Sequence, residues 1–354
     1  MENSLATVEK IEKLSSIPNA DAIEVARICG WNVVVKKNEF QVGDKCVYCQ
    51  IDTVLPDKSE FSFLKKNNFR IKTIRLRGQL SQGIAFPLSI LPGYIKVDGN
   101  DLIAGEIGKR DVIELSEGYD VSNLIGIKKY EKPVPANMAG QVRGSFPSHL
   151  VMKTDEIMVQ NILYILDEIK GQDVYISVKA DGTSGTFLNY NNDHHVCSRN
   201  LSLKEDMNNV YWQMYYKYNM NNIFSCAGNF AIQGEICGEG IQKNRLGVKE
   251  HDLFVFDVFD IDMHRYLDYA EFLNFCQTYN LKTVEIEKEV NFNFTMDELL
   301  EMAKGTYSSR KNREGIVIRP VKNMVSEKLM AKYGREGRVS FKVLNNDFLE
   351  KDES

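Results

Sequence analysis

The sequence predicts an α+β fold in two parts, a small β-rich barrel or sandwich followed by a larger domain of sheet with helices interposed. Three observations carry that prediction. A chain of 354 residues with 43% hydrophobic content is long enough for more than one core. Its first third is a succession of short β-type runs separated by turn residues, the pattern of a barrel or sandwich. After a proline-bearing polar stretch, apolar strand runs alternate with stretches of helical period, which marks a separate mixed domain.

In chain order, "EVARICGWNVVVKK", "GDKCVYCQI", "FRIKTIRLRG", "IAFPLSI" and "GKRDVIEL" are the short strands of the first part, residues 1–125. Residues 126–148, with "KKYEKPVPANMAGQVRGSFPSH", read as a linker because prolines and glycines accumulate in a polar setting. Residues 149–354 form the second domain. There "KTDEIMVQNILYILDEIKG" predicts a helix with Thr154 as N-cap, acids in the first turn and Gly171 at its end. Strands are expected at "DVYISVKA", "GTFLNYN", "FAIQGEIC", "LFVFDVFDI" and "EGIVIRP", and helices at "YAEFLNFCQTYN" and "TMDELLEMAK". No internal repeat or low-complexity tract interrupts the pattern.

Composition excludes several classes. No apolar run reaches the roughly 20 residues of a membrane span, and the N-terminus lacks the basic and apolar segments of a secretory signal, so an intracellular protein is expected. The seven cysteines are odd in number and scattered, unlike a disulfide framework. Cys46 and Cys49, the one Cys-x-x-Cys pair, lie in a strand run and read as core. A net charge of -5 argues against coating nucleic acid by bulk electrostatics. Locally, however, Phe61 to Leu88 contains no acid, and Lys65, Lys66, Arg70, Lys72, Arg75 and Arg77 gather there around Phe69. Cations interleaved with an aromatic suit a nucleic-acid backbone.

The run "VKADGTSGTF" places Lys179 and Asp181 on one face of a strand end, before Gly182 turns the chain. A lysine at a strand end, in a partly dry site among other cations or donors, can lose its proton and become a nucleophile. Downstream, in order, stand "GEICGEGIQKN" around Glu235, "LFVFDVFD" with Phe254 and Phe256, "REGIVIRP" with Glu314 and "SFKVLNND" with Lys342. This ordered set resembles the covalent nucleotidyltransferases, the superfamily of polynucleotide ligases and capping enzymes. The Gly-Glu segment and "KTDEIMVQN" are similar to those of RNA ligases. The first part, with "IPNADAIEVARICGWNVVVKKNEF" and "RLRGQLSQGIAFPL", resembles OB-type RNA-binding domains. Together they resemble the fifth family of ATP-dependent RNA ligases, over essentially the whole chain.

The resemblance implies an OB-like barrel and a ligase-type domain built on antiparallel sheets. It implies a monomer that uses ATP and Mg2+ or Mn2+ to join a 3'-hydroxyl to a 5'-phosphate at nicks in duplexed RNA, through lysyl-AMP and RNA-adenylate. In that scheme Lys179 is the nucleophile, Glu314 belongs to the metal site, and Asp181 contacts the metal shell or helps position Lys179. Gly182 lets the backbone approach the nucleotide, Arg199 contacts phosphate or ribose, and Glu235 accepts from the ribose hydroxyls. Phe254 or Phe256 stacks on adenine, while Asp257 points to the opposite strand face. Lys342 binds the α-phosphate; relatives often carry a second lysine two residues earlier, where this chain has Ser340, so Lys322, Lys328 or Lys332 is a possible substitute. Two rival expectations are a DNA-joining or GTP-using capping enzyme, and a noncatalytic RNA-binding protein on the same fold.

Overall fold

The computed structural model describes residues 4–104, 112–130, 140–333 and 337–352. The chain divides into two compact units, residues 1–132 with 350–354, and residues 133–349. No helix among the described residues is long and apolar enough to cross a membrane.

The first unit is built from short antiparallel pairings. Lys45–Cys49 is its central strand, flanked by Ala6–Lys10 and Ile84–Pro87. Lys13–Ser16, Ile23–Ile28 and Trp31–Lys36 form a meander, and Thr73–Leu76 pairs with Gln79–Gln82 in a hairpin. Alternation turns Trp31, Val33 and Val35 inward, where they join Ile28, Val47 and Tyr48. Cys46 and Cys49 are fully buried in this core as free thiols, which burial keeps protonated.

The second unit holds two sheets. The larger runs Val142–Ser145, Leu201–Leu203, Asp193–Cys197, Thr183–Tyr190, Phe230–Cys237, Asp252–Asp260, Arg265–Tyr266. The smaller runs Ile157–Met158, Phe341–Leu344, Gly315–Pro320, Asp173–Lys179, Ile286–Asn291. Among the described residues, neighbouring strands of these two sheets pair antiparallel except Ile157–Met158 with Phe341–Lys342. The five expected strands are present, and so are the helices Tyr269–Thr278 and Met296–Ala303, each opened by a capping box. Val210–Lys217, Met220–Ala227 and Tyr269–Thr278 contribute to an apolar core with Phe187, Ile232 and Val255. Met296–Ala303 and Glu327–Tyr333 contribute to a second core with Ile176, Ile316 and Phe341.

One sequence expectation needs correction. The helix predicted across residues 153–171 is α-helical only at Ile165–Glu168. Its first part is extended, because Ile157–Met158 joins the smaller sheet and the Thr154 hydroxyl bonds to Ser184 instead of capping a turn. The stretch 126–148 read as a linker carries structure at both ends: Lys128–Lys129 pairs with Thr53–Val54, and Val142–Ser145 with Leu201–Leu203. Residues 131–139 between them lie outside the described residues.

Candidate active site

Lys179 ends its strand, and its Cα partner on the next strand is Gly315, so Glu314 lies directly beside it. The Lys179 Nζ donates to Glu314 Oε2 at 2.9 Å, with the two side chains 22% and 19% exposed. Gly315 permits this junction: its φ is +152°, and a Cβ there would meet the Val343 carbonyl at 2.1 Å.

Glu235 and Asp181 add two carboxylates to the field at Lys179. Burial alone favours the neutral amine, but Glu314, Glu235 and Asp181 outweigh it and hold Lys179 firmly protonated. Carboxylates rather than cations therefore set the field at Lys179. The same crowding acts in reverse on Glu235. Burial pushes its carboxyl up to about 8, Lys179 pulls against that, and Glu314 and Asp181 add to the rise.

Asp181 is buried and bonded to Arg245 at 2.6 Å, and the Arg245 guanidinium lies 4.3 Å from the Phe348 ring centroid. Gly182 is required by the protein rather than by open space above it. A Cβ there would lie 2.3 Å from the Ile236 carbonyl and 2.9 Å from Glu235 Cγ, so the missing side chain lets the strand of Glu235 close in. Tyr307 completes the centre: its hydroxyl donates to the Lys179 carbonyl at 2.6 Å and accepts from the Glu314 N–H at 3.0 Å.

Phe254 is the cross-strand partner of Glu235. A β-bulge follows, since Gly234 faces Val255 while Gln233 faces Asp257, leaving Phe256 as the extra residue. The bulge corrects the simple alternation that set Asp257 on the face away from Phe256. Both reach Arg319, whose guanidinium carbon is 5.8 Å from the Phe256 ring centroid and whose Nη2 is 3.5 Å from Asp257. Arg338 grips Asp257 with two bonds of 2.7 and 2.8 Å, and Arg319 pairs with Glu156 at 2.7 Å. A pocket beside this network is lined by Thr154, Glu156, Phe256, Arg338 and Ser340 among others; Lys179, Glu235 and Glu314 do not line it.

Lys342 is in register with Val317, itself the partner of Ser177, so Lys342 shares a sheet face with Lys179. Lys322, Lys328 and Lys332 are engaged elsewhere, with Asp268, Glu168 and the Asn161 carbonyl. Arg199 is half exposed and forks onto Asp155 at 2.6 and 2.7 Å. Among the described residues no group of three or more His, Cys, Asp or Glu is arranged to hold a metal ion. An ion here would therefore draw much of its coordination from ligand oxygens and water.

In the first unit, Lys65 and Lys66 are exposed on the 3-10 turn Ser59–Asn67, and Arg75 and Arg77 on the Thr73–Gln82 hairpin. Phe69 and Lys72 are half-buried. Arg70 is turned away from this group: it bonds Asp52 at 2.6 Å and lies 3.9 Å from the Tyr130 ring centroid. Arg245 and Tyr307 escaped the sequence reading because nothing in "KNRLG" or "GTYSSRKN" marks them. They meet Asp181 and Lys179 across 64 and 128 residues of chain.

A family model described as RNA ligase matches residues 172–344, and one described as an OB-fold domain matches residues 5–88. Naegleria gruberi RNA ligase with PPi is 32% identical, with 99% of each chain covered and a TM-score of 0.82. A variant of that ligase with ATP and Mn is 32% identical, covering 98% of this chain and 99% of its own, at 0.81. Another, with AMP and Mn, is also 32% identical, with 98% of each chain covered and a TM-score of 0.81. No curated protein matches the sequence.

Proposed function

The chain belongs to the RNA ligase family and is an ATP-dependent RNA ligase, and from that premise we propose how it joins RNA ends. It activates a 5'-phosphate with AMP carried on Lys179, then joins it to a 3'-hydroxyl, sealing nicks in duplexed RNA. The observation that carries this reading is the Lys179–Glu314 pair at 2.9 Å with Glu235 and Asp181 around it. Membership in an RNA ligase family favours RNA joining over the DNA-joining and capping readings.

In the first step Lys179 Nζ forms a bond to the α-phosphorus of ATP. The ammonium first gives up one proton to free the lone pair that makes this bond. The bond from that phosphorus to the bridging oxygen breaks, pyrophosphate leaves with the electron pair, and the nitrogen sheds a second proton to become the neutral nitrogen of a phosphoramidate. The AMP next passes from Nζ to an RNA 5'-phosphate oxygen. The 3'-hydroxyl then attacks that phosphate, loses its proton and expels AMP.

The donor set fits a divalent metal. Glu314 and Asp181 are hard oxygen donors of the kind such an ion takes, with ligand oxygens and water completing its shell. Glu314 and Asp181 would hold the ion. When bound, it supplies charge that stabilises the phosphoryl oxygens and relieves the carboxylates' hold on the Lys179 proton. Glu235 accepts from the ribose hydroxyls. Phe254, directly opposite Glu235, stacks on adenine, while Phe256 packs toward Arg319. Lys342 neutralises the α-phosphate from the same sheet face, and Arg199 exchanges Asp155 for phosphate.

Incubation with ATP labelled at the α-phosphate tests the scheme. A label surviving denaturation is expected with ATP and absent with GTP, and the reverse preference would reject the adenylate reading.

A further inference from the structure

The loop between the helix Met296–Ala303 and the strand Gly315–Pro320 is more than a connection. Buried Arg313 anchors its base through the Ala303 carbonyl at 3.2 Å and Glu287 at 2.5 Å. Within it, Tyr307 N–H donates to the Lys311 carbonyl at 2.9 Å and Arg310 N–H to the Tyr307 carbonyl at 2.8 Å, a closed turn. The Ser309 hydroxyl bonds to the Arg245 carbonyl, so the loop also touches the residue that holds Asp181.

From this rigid base the Tyr307 ring, 6% exposed, reaches the point where the Lys179 strand leaves its neighbour. Its hydroxyl takes the next rung of the ladder, joining the Lys179 carbonyl at 2.6 Å to the Glu314 N–H at 3.0 Å. One oxygen therefore ties the backbone of the amine-bearing residue to the backbone of its carboxylate partner. Burial keeps the phenol protonated, so it retains the donor this bridge requires.

We propose that Tyr307 is the positioning residue of lysine adenylation, fixing Lys179 and Glu314 at the separation from which Nζ meets the α-phosphorus. This rests on the adenylation reading above. Two strand ends that can drift apart by a fraction of an ångström lose alignment with an in-line displacement, and misplacement of about 1 Å costs on the order of a hundredfold. Glu235, Phe254 and Lys342 hold nucleotide from other strands, so nucleotide affinity does not depend on this bridge.

The test is Tyr307→Phe, which keeps the ring and removes both bonds. Lysyl-AMP formation is followed in single turnover across ATP concentrations, giving an amplitude, a rate constant and a half-saturating ATP concentration. The expected result is a rate constant lower by roughly ten- to a hundredfold, with half-saturation within about twofold of the unsubstituted protein. Incomplete folding lowers the amplitude and leaves the rate constant of the folded fraction alone, so it is read separately. An unchanged rate constant, at any amplitude, overturns the proposal, as does a loss expressed only in half-saturation. Failure of the unsubstituted protein to form lysyl-AMP would instead sink the adenylation reading itself.

Discussion

At the scale of the residue, the site sets three carboxylates, Glu314, Glu235 and Asp181, around the Lys179 amine. Burial, with Glu314 and Asp181 adding to it and Lys179 opposing it, raises the Glu235 carboxyl to about 8. Because its folded value lies above the ordinary carboxylate range, Glu235 weakens the fold as pH rises from about 4.5 through about 8. Glu235→Gln is expected to melt at a higher temperature than the parent at pH 8, at parity near pH 4.5, and to adenylate more slowly. Equal melting temperatures of the two proteins at both pH values would refute the raised carboxyl. The motif residues Lys179, Glu235 and Glu314 were legible in the sequence because each stands in a recognisable short run. Their protonation was not, since it depends on which side chains the fold brings within reach.

At the scale of the element, alternation and capping located most strands and the helices that open with Asp268 and Thr295. They failed where tertiary contacts outbid local preference, as at Thr154, whose hydroxyl is taken by Ser184. Helices Val210–Lys217 and Met220–Ala227 went unread, being rich in tyrosine and asparagine, which are poor helix formers; burial of Tyr211, Met214 and Phe224 in the core compensates. Asp252 ties this region to the larger sheet, accepting from Lys217 at 3.1 Å, Tyr218 at 2.5 Å and Lys282 at 2.5 Å. Burial pushes its carboxyl up, and these three donors overcome that to hold it down at about 2. A depressed carboxyl stabilises above its unfolded value, so this contribution, about 2 kcal/mol, is lost as pH falls from about 4 to about 2. Asp252→Asn is expected to remove a similar amount at pH 7 in denaturant titration and to flatten the acid limb. An unaltered midpoint at pH 7 would show the cluster to be inert.

At the scale of the whole molecule, an OB-fold unit precedes a ligase unit, and the sequence showed both through strand spacing and ordered motifs. Exposed Lys65, Lys66, Arg75 and Arg77 give the first unit a cationic surface, with Arg70 withdrawn to Asp52. Reversing Arg75 and Arg77 to glutamate is expected to weaken sealing of nicked RNA duplexes about tenfold or more, with lysyl-AMP formation intact. Equal loss of both would reject a separate docking surface. Above all, the account stands on one covalent bond. ATP labelled at the α-phosphate, followed by denaturation and peptide mapping, is predicted to leave AMP on Lys179 and none on Lys179→Ala. A Lys179→Ala protein that takes up label, or that still seals 5'-phosphate RNA with ATP, would contradict it.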